Sequence, residues 1–511
     1  MIKIDVINTE VLKLETSNIH EEQYLLRTFN RLHKNSFFHP MVKRKLWDGR
    51  TQFFKNNYLP VGLIFKLRKA LESKKIQYEL LNKQKLNWGY DENEFNDWYK
   101  LYLEKISNYL NFDELDYQID AVRKFLFYKK CCQKLATNAG KTYTLYIAYS
   151  FLKETNKINK MLVIVPRVDL VLQFISDFKK YSNNKMTDIQ FQAVYSDSLK
   201  RDKKEIRDDA DIIIGTFQSF SKKKDEWFDK VNFICIDEAH YSNAKSIRNA
   251  IKKCKHSEYR LGISGTLNTD NSADAYIALT YLGPMVNIVT AKELVDKNAS
   301  TPVEVRRVIL KHKDMSDVLH LYNLRKQKNV IEPKDIKKME ERYVNSLDKR
   351  IDVFCSALEK LDGNVLVLFK DIKYGFGKKL YQEFKQRTKT KITHYVDGDT
   401  STDVRVFYKQ QMEENDNITL FASYGIFSTG ISINNIMYAF YAEGYKSEII
   451  NVQTIGRGMR KHKNKDVFII YDIVDDLEYN GDKNYLLKDG EERLNIYLRE
   501  QHKVKTKIIE I

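Results

Sequence analysis

Two residue clusters, far apart in the chain, have the types and spacing that hydrolysis of a nucleoside triphosphate requires. The first is LATNAGKT at 135–142. Gly140 lets the backbone approach a phosphate, Lys141 reaches the β- and γ-phosphates, and the Thr142 hydroxyl is a magnesium ligand. Thr137, Asn138 and Ala139 complete the loop. The fit to G-x-x-x-x-G-K-[ST] is partial, because Leu135 occupies the first glycine position. A helical pattern, TLYIAYSFLK, follows directly, as loop-to-helix geometry demands. The second cluster is FICIDEAHYSN at 233–243, where an apolar run ends in Asp237, Glu238, Ala239 and His240. An aspartate at the carboxyl end of a strand can hold magnesium. A glutamate beside it can orient or deprotonate the attacking water, which phosphoryl transfer requires. The cofactors implied are ATP and Mg2+.

Two further groups of residues fit the same chemistry, each with a plainer alternative. Tyr117 and Gln118 stand upstream of the loop. An amide can pair with the adenine edge and an aromatic ring can stack on it; the alternative is an ordinary start of an amphipathic helix. HPMVKRKLWDGR at 39–50 interleaves Lys43, Arg44, Lys45 and Arg50 with Trp47, a composition that stacks on or wedges apart nucleic-acid bases. Its alternative is a core tryptophan beneath a solvated basic face.

The elements that must carry these residues follow from the apolar pattern. At ~100–200 residues per domain, 511 residues suggest about three domains. Residues 1–90 mix short strand-like segments with a basic helical run and read as a small α+β N-terminal domain, a candidate for DNA binding. Residues 91–295 alternate helices with the apolar strands MLVIVP, IIIGT, FICID and RLGIS. Residues 296–490 repeat the alternation with VEVRRVIL, NVLVLF, ITHYV, ITLFAS, MYAFYA and VFIIYD. Short apolar runs separated by helices predict parallel sheets covered on both faces, with ligands at the carboxyl ends of the strands. The class is therefore α/β, with two tandem domains after the N-terminal one. Within the second, 311–350 reads as a basic helical insertion that either extends a nucleic-acid footprint or is solvated surface. Residues 491–511 read as a tail.

Composition narrows the setting. The net charge of +17 favours a polyanionic partner, nucleic acid or acidic membrane, although a Lys-rich, AT-biased composition gives the same excess. No run approaches the ~20 apolar residues that span a bilayer, and the N-terminus lacks the pattern of a signal peptide. A cytoplasmic setting is expected, in the host cell if the source is viral. Five cysteines, with Cys131 and Cys132 adjacent, form neither a disulfide framework nor a C-x-x-C zinc pattern.

The two clusters resemble motifs I and II of superfamily 2 helicases in their D-E-A-H form, and the resemblance continues in order. IVPRVDLVLQF (164–174) resembles motif Ia, GTFQSF (215–220) motif Ib, SGT (264–266) motif III and VLVLFK (365–370) motif IV. FASYGIFSTGISI (421–433) resembles motif V and QTIGRGMR (453–460) motif VI. With its T-x-A-G-K loop and an N-terminal W-D-G-R, the chain is similar to the UvsW-type recombination and repair helicases of phages along nearly its whole length. The resemblance implies two RecA-like lobes with nucleotide between them, Gln118 on adenine, and Gly430 at the nucleotide site. It implies that His240, Ser264 and Thr266 couple hydrolysis to movement. Gln453, Arg457 and Arg460 would face the γ-phosphate. Pro166, Arg167, Thr216, Gln218, Lys370 and Thr429 would contact a strand's phosphates. The implied activity is ATP-dependent remodelling of branched DNA (Holliday junctions, forks, R-loops) by a protein that is a monomer in solution and can assemble on DNA. Asn138 departs from the family's T-G-S-G-K-T form, which puts nucleotide affinity in doubt. An RNA helicase and a DNA-binding or annealing protein with a weak motor remain the alternatives. No P-D…[DE]-x-K nuclease cluster supports a restriction motor.

Overall fold

The computed structural model describes the chain except for residues 35, 108–114, 183–188, 196–204, 242–244, 267–270, 314, 327–330 and 428–432. The chain divides into two compact units. One comprises Met1–Leu135 with Ala139–Val289, the other Ala136–Asn138 with Thr290–Ile511.

The first unit opens with a four-stranded sheet. Its strands are β1 (Ile2–Val6), β2 (Val11–Glu15), β5 (Tyr58–Pro60) and β6 (Tyr78–Leu81), in the order β5-β2-β1-β6. The short pair β3 (Asn30–Leu32) and β4 (Arg50–Gln52) lies between them in sequence. Alternation in IKIDV and VLKLE buries Ile2, Ile4, Val6, Leu12 and Leu14 on one face, as a period of two requires. Residues 1–90 have their own sheet, yet their apolar face joins one continuous core with residues of the α/β part, including Leu162, Ile213 and Leu282. Two contacts fasten the seam. Glu10 receives Lys130 at 2.5 Å and Arg260 at 3.0 Å. Gly62 approaches so closely that an added Cβ would lie 1.8 Å from the Leu279 carbonyl oxygen.

The α/β part holds seven parallel strands: β7 (Lys130–Leu135), β8 (Met161–Val165), β9 (Phe191–Val194), β10 (Ile212–Thr216), β11 (Phe233–Asp237), β12 (Tyr259–Ser264) and β13 (Met285–Val289). Their order is β13-β7-β12-β11-β8-β10-β9. MLVIV and IIIGT are buried at every position, the signature of strands covered on both faces. The helix Glu92–Ile106 lays Phe95, Trp98 and Tyr102 against the helix that follows the phosphate loop, with Tyr102 donating to Tyr143 at 3.2 Å.

The second unit has a second seven-stranded parallel sheet. Its strands are β14 (Val303–Lys311), β15 (Val365–Phe369), β16 (Ile392–Val396), β17 (Ile418–Ser423), β18 (Tyr438–Tyr441), β19 (Phe468–Asp476) and β20 (Lys503–Glu510), in the order β16-β17-β15-β18-β19-β14-β20. The fold is thus α/β, with two RecA-like parallel-sheet bodies and a small N-terminal region.

Two segments differ in role from their reading in sequence. Residues 491–511 supply most of the helix Tyr485–Arg499 and all of β20, which pairs with β14 from Glu304 to Lys311, so they complete the sheet. The basic stretch 311–350 forms the helices Met315–Lys326 and Pro333–Ser346. Its Arg325 is buried, donating to Glu340 at 3.0 Å and to the Leu477 carbonyl at 3.1 Å. Arg306 and Arg307 belong to β14, where Arg306 pairs with Glu304 and Tyr471 and Arg307 is buried. Arg325 looks free in sequence because Asp482 and Leu477, two of its partners, lie far along the chain. Buried guanidinium pairs recur in this unit: Arg350 holds Asp475 through two bonds of 2.9 Å, and Arg493 holds Asp472 at 2.7 and 2.8 Å. All five cysteines are buried thiols, four in the first unit and Cys355 in the second.

Candidate active site

Leu135 ends β7, and the chain turns through the phosphate loop into the helix Lys141–Glu154. The turn needs two left-handed residues, Asn138 at φ +74° and Gly140 at φ +73°. Asparagine is the side chain that tolerates this region best after glycine, so Asn138 keeps the backbone path that a glycine would take. A Cβ at Gly140 would be strained at this φ and would meet the Gln118 Nε2 at 2.3 Å, so a substitution there must displace that amide. Gln118 is itself buried, its Nε2 donating to the Ala139 carbonyl at 3.2 Å and its Oε1 accepting from the Leu115 amide at 3.3 Å. In this arrangement the glutamine braces the loop and caps its own helix. Tyr117 is also buried, its ring part of the core. Lys141 and Thr142 open the loop's helix, half-buried at the end where unpaired amides and the helix dipole favour an anion.

Asp237 and Glu238 leave the carboxyl end of β11, two strands from β7 in the sheet. Glu238 has φ +53°, a conformation that costs a non-glycine residue about 1 kcal/mol or more. The turn aims its carboxylate back over the loop, where Lys141 Nζ lies 3.1 Å from Oε1. The Glu238 amide donates to Asp237 Oδ1 at 3.0 Å. Ser264, last residue of β12, donates to Glu238 Oε2 at 3.1 Å, while His240 Nδ1 lies 2.9 Å from Ser264 Oγ and 3.2 Å from Glu238 Oε2. Thr266 Oγ1 stands 3.0 Å from the same Nδ1, and the Thr266 amide donates to Ser264 Oγ at 3.2 Å. A hydroxyl has one proton, and Ser264 spends it on Glu238, so the network assigns the His240 proton to Nδ1. Thus β7, β11 and β12 bring Lys141, Asp237, Glu238, His240, Ser264 and Thr266 into one polar cluster.

The two carboxyls of this cluster are driven apart. Burial raises Asp237 to about 6, with Lys141 opposing and the neighbouring Glu238 adding to the rise. Burial pushes Glu238 upward too, but the Lys141 ammonium and His240 outweigh it and hold the carboxyl well below the usual range. Such a split between adjacent acids marks sites of proton chemistry. Hard oxygen donors at Asp237 and Thr142 suit magnesium, and the glycine approach, the helix start and Lys141 suit a triphosphate.

The family described as type III restriction enzyme, res subunit, matches residues 111–269, which contain this cluster. The ATP-dependent DNA helicase UvsW of Enterobacteria phage T4 is 29% identical over 509 residues, covering 95% of each chain. The chain is similar to an ATP-dependent DNA helicase along nearly its whole length. The DNA 3′-5′ translocase XPB2 of Sulfurisphaera tokodaii is 24% identical over 375 residues, covering 70% of this chain and 80% of the relative. The structure of Saccharomyces cerevisiae Dbp5 bound to RNA and ADP BeF3 shares this chain's fold, with a TM-score of 0.53 at 15% identity over 80% of this chain and 93% of that one.

Four of the chain's expected strand contacts meet in one place. Pro166, Arg167, Thr216 and Gln218 line an open cleft of about 760 Å³ beyond the ends of β8 and β10. Lys222 and Lys223 line it as well. The sequence motif stops before these two lysines, and their only signal is the run of three lysines, Lys222 to Lys224, just after it. Lys370 follows β15, its ammonium 3.0 Å from Glu341 of the inserted helix and its amide donating to Glu443 at 2.7 Å. Gln453 and Arg457 lie half-buried on the helix Glu448–Gly458, and Arg460 stands just past its C-cap, Met459. Thr429 and Gly430 lie outside the described residues. Trp47 is a brace rather than an open ring: its Nε1 donates to the Arg50 carbonyl at 2.9 Å, and it packs edge-on against His33 and His39.

Proposed function

We propose that this chain uses Mg-ATP hydrolysis to remodel branched DNA, by branch migration, fork regression and R-loop unwinding. The convergence of Lys141, Glu238, His240 and Ser264 supports the motor. Similarity to UvsW over 95% of the chain supports DNA as the substrate.

In this reading Asp237 and Thr142 hold magnesium, which supplies charge neutralisation at the transferring phosphoryl group. Lys141 exchanges Glu238 for the triphosphate. Glu238 then keeps Ser264 and His240 as partners, regains basicity, and takes the proton of the attacking water. The loop formed by Thr137, Asn138, Ala139 and Gly140 cradles phosphate, with Gln118 bracing it from behind. Arg457 and Arg460, with Gln453, carry the planar donors suited to charge spread over phosphoryl oxygens, a role that rests on their motif. Loss of the Ser264–Glu238 bond on hydrolysis would pass the change through Thr266 and His240 to the strand-contacting segments. Pro166, Arg167, Thr216, Gln218 and the adjacent lysines grip the phosphate backbone without reading sequence. Lys370, Thr429 and Gly430 take the roles their motifs imply.

The test compares ATP-dependent processing of a Holliday junction, a DNA fork, an R-loop and an RNA duplex, with Lys141→Ala as the control. Processing of the three DNA-containing substrates, lost in the variant, is expected. Unwinding confined to the RNA duplex would overturn the choice of DNA.

A further inference from the structure

The segment between β3 and β4 exposes apolar side chains that a folded surface normally covers. Phe37 and Phe38 are 72% and 74% exposed, and Leu46 is 69% exposed. Adjacent aromatic rings projecting into solvent cost hydrophobic free energy with no return to the fold, so they point to a ligand. The rings sit on a rigid mount. Ser36 is buried beneath them, and Gly49, at φ +77°, packs so tightly that a Cβ would lie 2.7 Å from Ser36. The His33 amide donates to the Gly49 carbonyl at 2.8 Å, and Trp47 wedges between His33 and His39.

The mount is tied to the motor. His33 Nδ1 lies 3.0 Å from Asp274 Oδ1 and its Nε2 2.8 Å from Thr51 Oγ1, while the Lys34 amide donates to Asp274 Oδ2 at 3.1 Å. Asp274 opens the helix Ala273–Leu282, which follows β12 and Thr266 in the chain. The helix therefore starts at the carboxyl edge of the first sheet, the edge that carries Glu238 and the cleft at Thr216. Around the rings, Lys43, Arg44 and Lys45 are exposed and make no ion pair among the described residues.

We propose that Phe37 and Phe38 form an aromatic hook that stacks on unpaired bases where a duplex opens, with Lys43, Arg44 and Lys45 on the adjoining phosphates. This rests on the DNA reading above. Every base offers a π-face, so such a hook binds without sequence preference, and cations beside aromatics are the composition of single-strand platforms. The centre of a protein–protein contact is by contrast depleted of charge. Trp47, which sequence singles out for this role, instead holds the segment that presents the phenylalanines.

The experiment uses the full chain with Phe37→Ala and Phe38→Ala combined, a DNA fork bearing 2-aminopurine at its first unpaired position, and a blunt duplex of the same sequence. The double variant should melt at the wild-type temperature and bind the fork about tenfold more weakly. It should lose the wild-type change in 2-aminopurine fluorescence and bind the blunt duplex as before. Phe37→Tyr with Phe38→Tyr should retain fork binding, and the corresponding Leu pair should not. Wild-type fork affinity and fluorescence in the Ala variant would overturn the hook, as would equal weakening on blunt duplex. Full function in the Leu pair would also overturn it and assign the patch to an apolar protein partner. A wild-type protein that binds no fork would overturn the DNA reading itself, whereas one that binds the fork as tightly as its Ala variant sinks the hook alone.

Discussion

The Ser264 hydroxyl stands between Nδ1 of His240 at 2.9 Å and Oε2 of Glu238 at 3.1 Å. It joins the end of β12 to the carboxylate that follows β11. Ser264→Ala should therefore leave nucleotide binding intact while raising the ATP consumed per base pair separated about tenfold, the scale of one buried hydrogen bond to a charged group. Hydrolysis and unwinding measured on the same fork check this. An unchanged ratio would mean that Ser264 is only structural.

Lys141 and Glu238 form an ion pair yet should fail differently when changed. Lys141→Ala should weaken binding of a fluorescent ATP analogue and abolish turnover. Glu238→Gln should keep the binding and lower kcat by about 10²-fold or more, the usual cost of a missing catalytic group. Equal binding loss in both would sink the separation of roles.

The phosphate loop has two left-handed residues that differ in what a change would meet. Asn138→Gly should be close to neutral and Asn138→Val damaging, because a β-branched residue at φ +74° is strained. Gly140→Ala should lose nucleotide affinity, and adding Gln118→Ala should restore part of it by removing the atom the new Cβ meets. Titration with the same ATP analogue reads each step, and no recovery in the double variant would place the whole cost in the backbone.

Asp475 gives the second unit an acid-sensitive lock. Burial would raise its carboxyl, but Arg350 and His312 hold it at about 2. A carboxyl near 3.9 when unfolded and about 2 when folded stabilises the native state by about 2.6 kcal/mol above about pH 5, and loses most of that as pH falls to 2. Denaturant midpoints from pH 5 to pH 2 should thus fall less steeply in Asp475→Asn than in the wild type. Parallel curves would contradict the assignment.

Much of this was legible in the chain because parallel strands buried on both faces are written as unbroken apolar runs. MLVIV, IIIGT, FICID and VLVLF announce themselves. Among the strands that escaped are two with polar or charged residues along them. KCCQKL hides its thiols and Gln133 beside two lysines, and β20 alternates Lys503, Lys505 and Lys507 along a sheet edge. The polar cluster around Lys141 and Glu238 was readable because its residues sit at fixed steps from strand ends. The brace made by Gln118, the packing of Trp47 and the exposure of Phe37 were not, since each depends on what packs against the residue from elsewhere in the chain.

The burial of every cysteine makes the molecule its own reporter of opening. Burial pushes the Cys132 and Cys254 thiols up to about 12 and Cys355 to about 11, so an alkylating reagent finds almost no thiolate while the fold is closed. Four of the thiols belong to one body and the fifth to the other. Counting labels by mass during gentle heating would therefore tell which body breathes first, with no probe added and no residue changed.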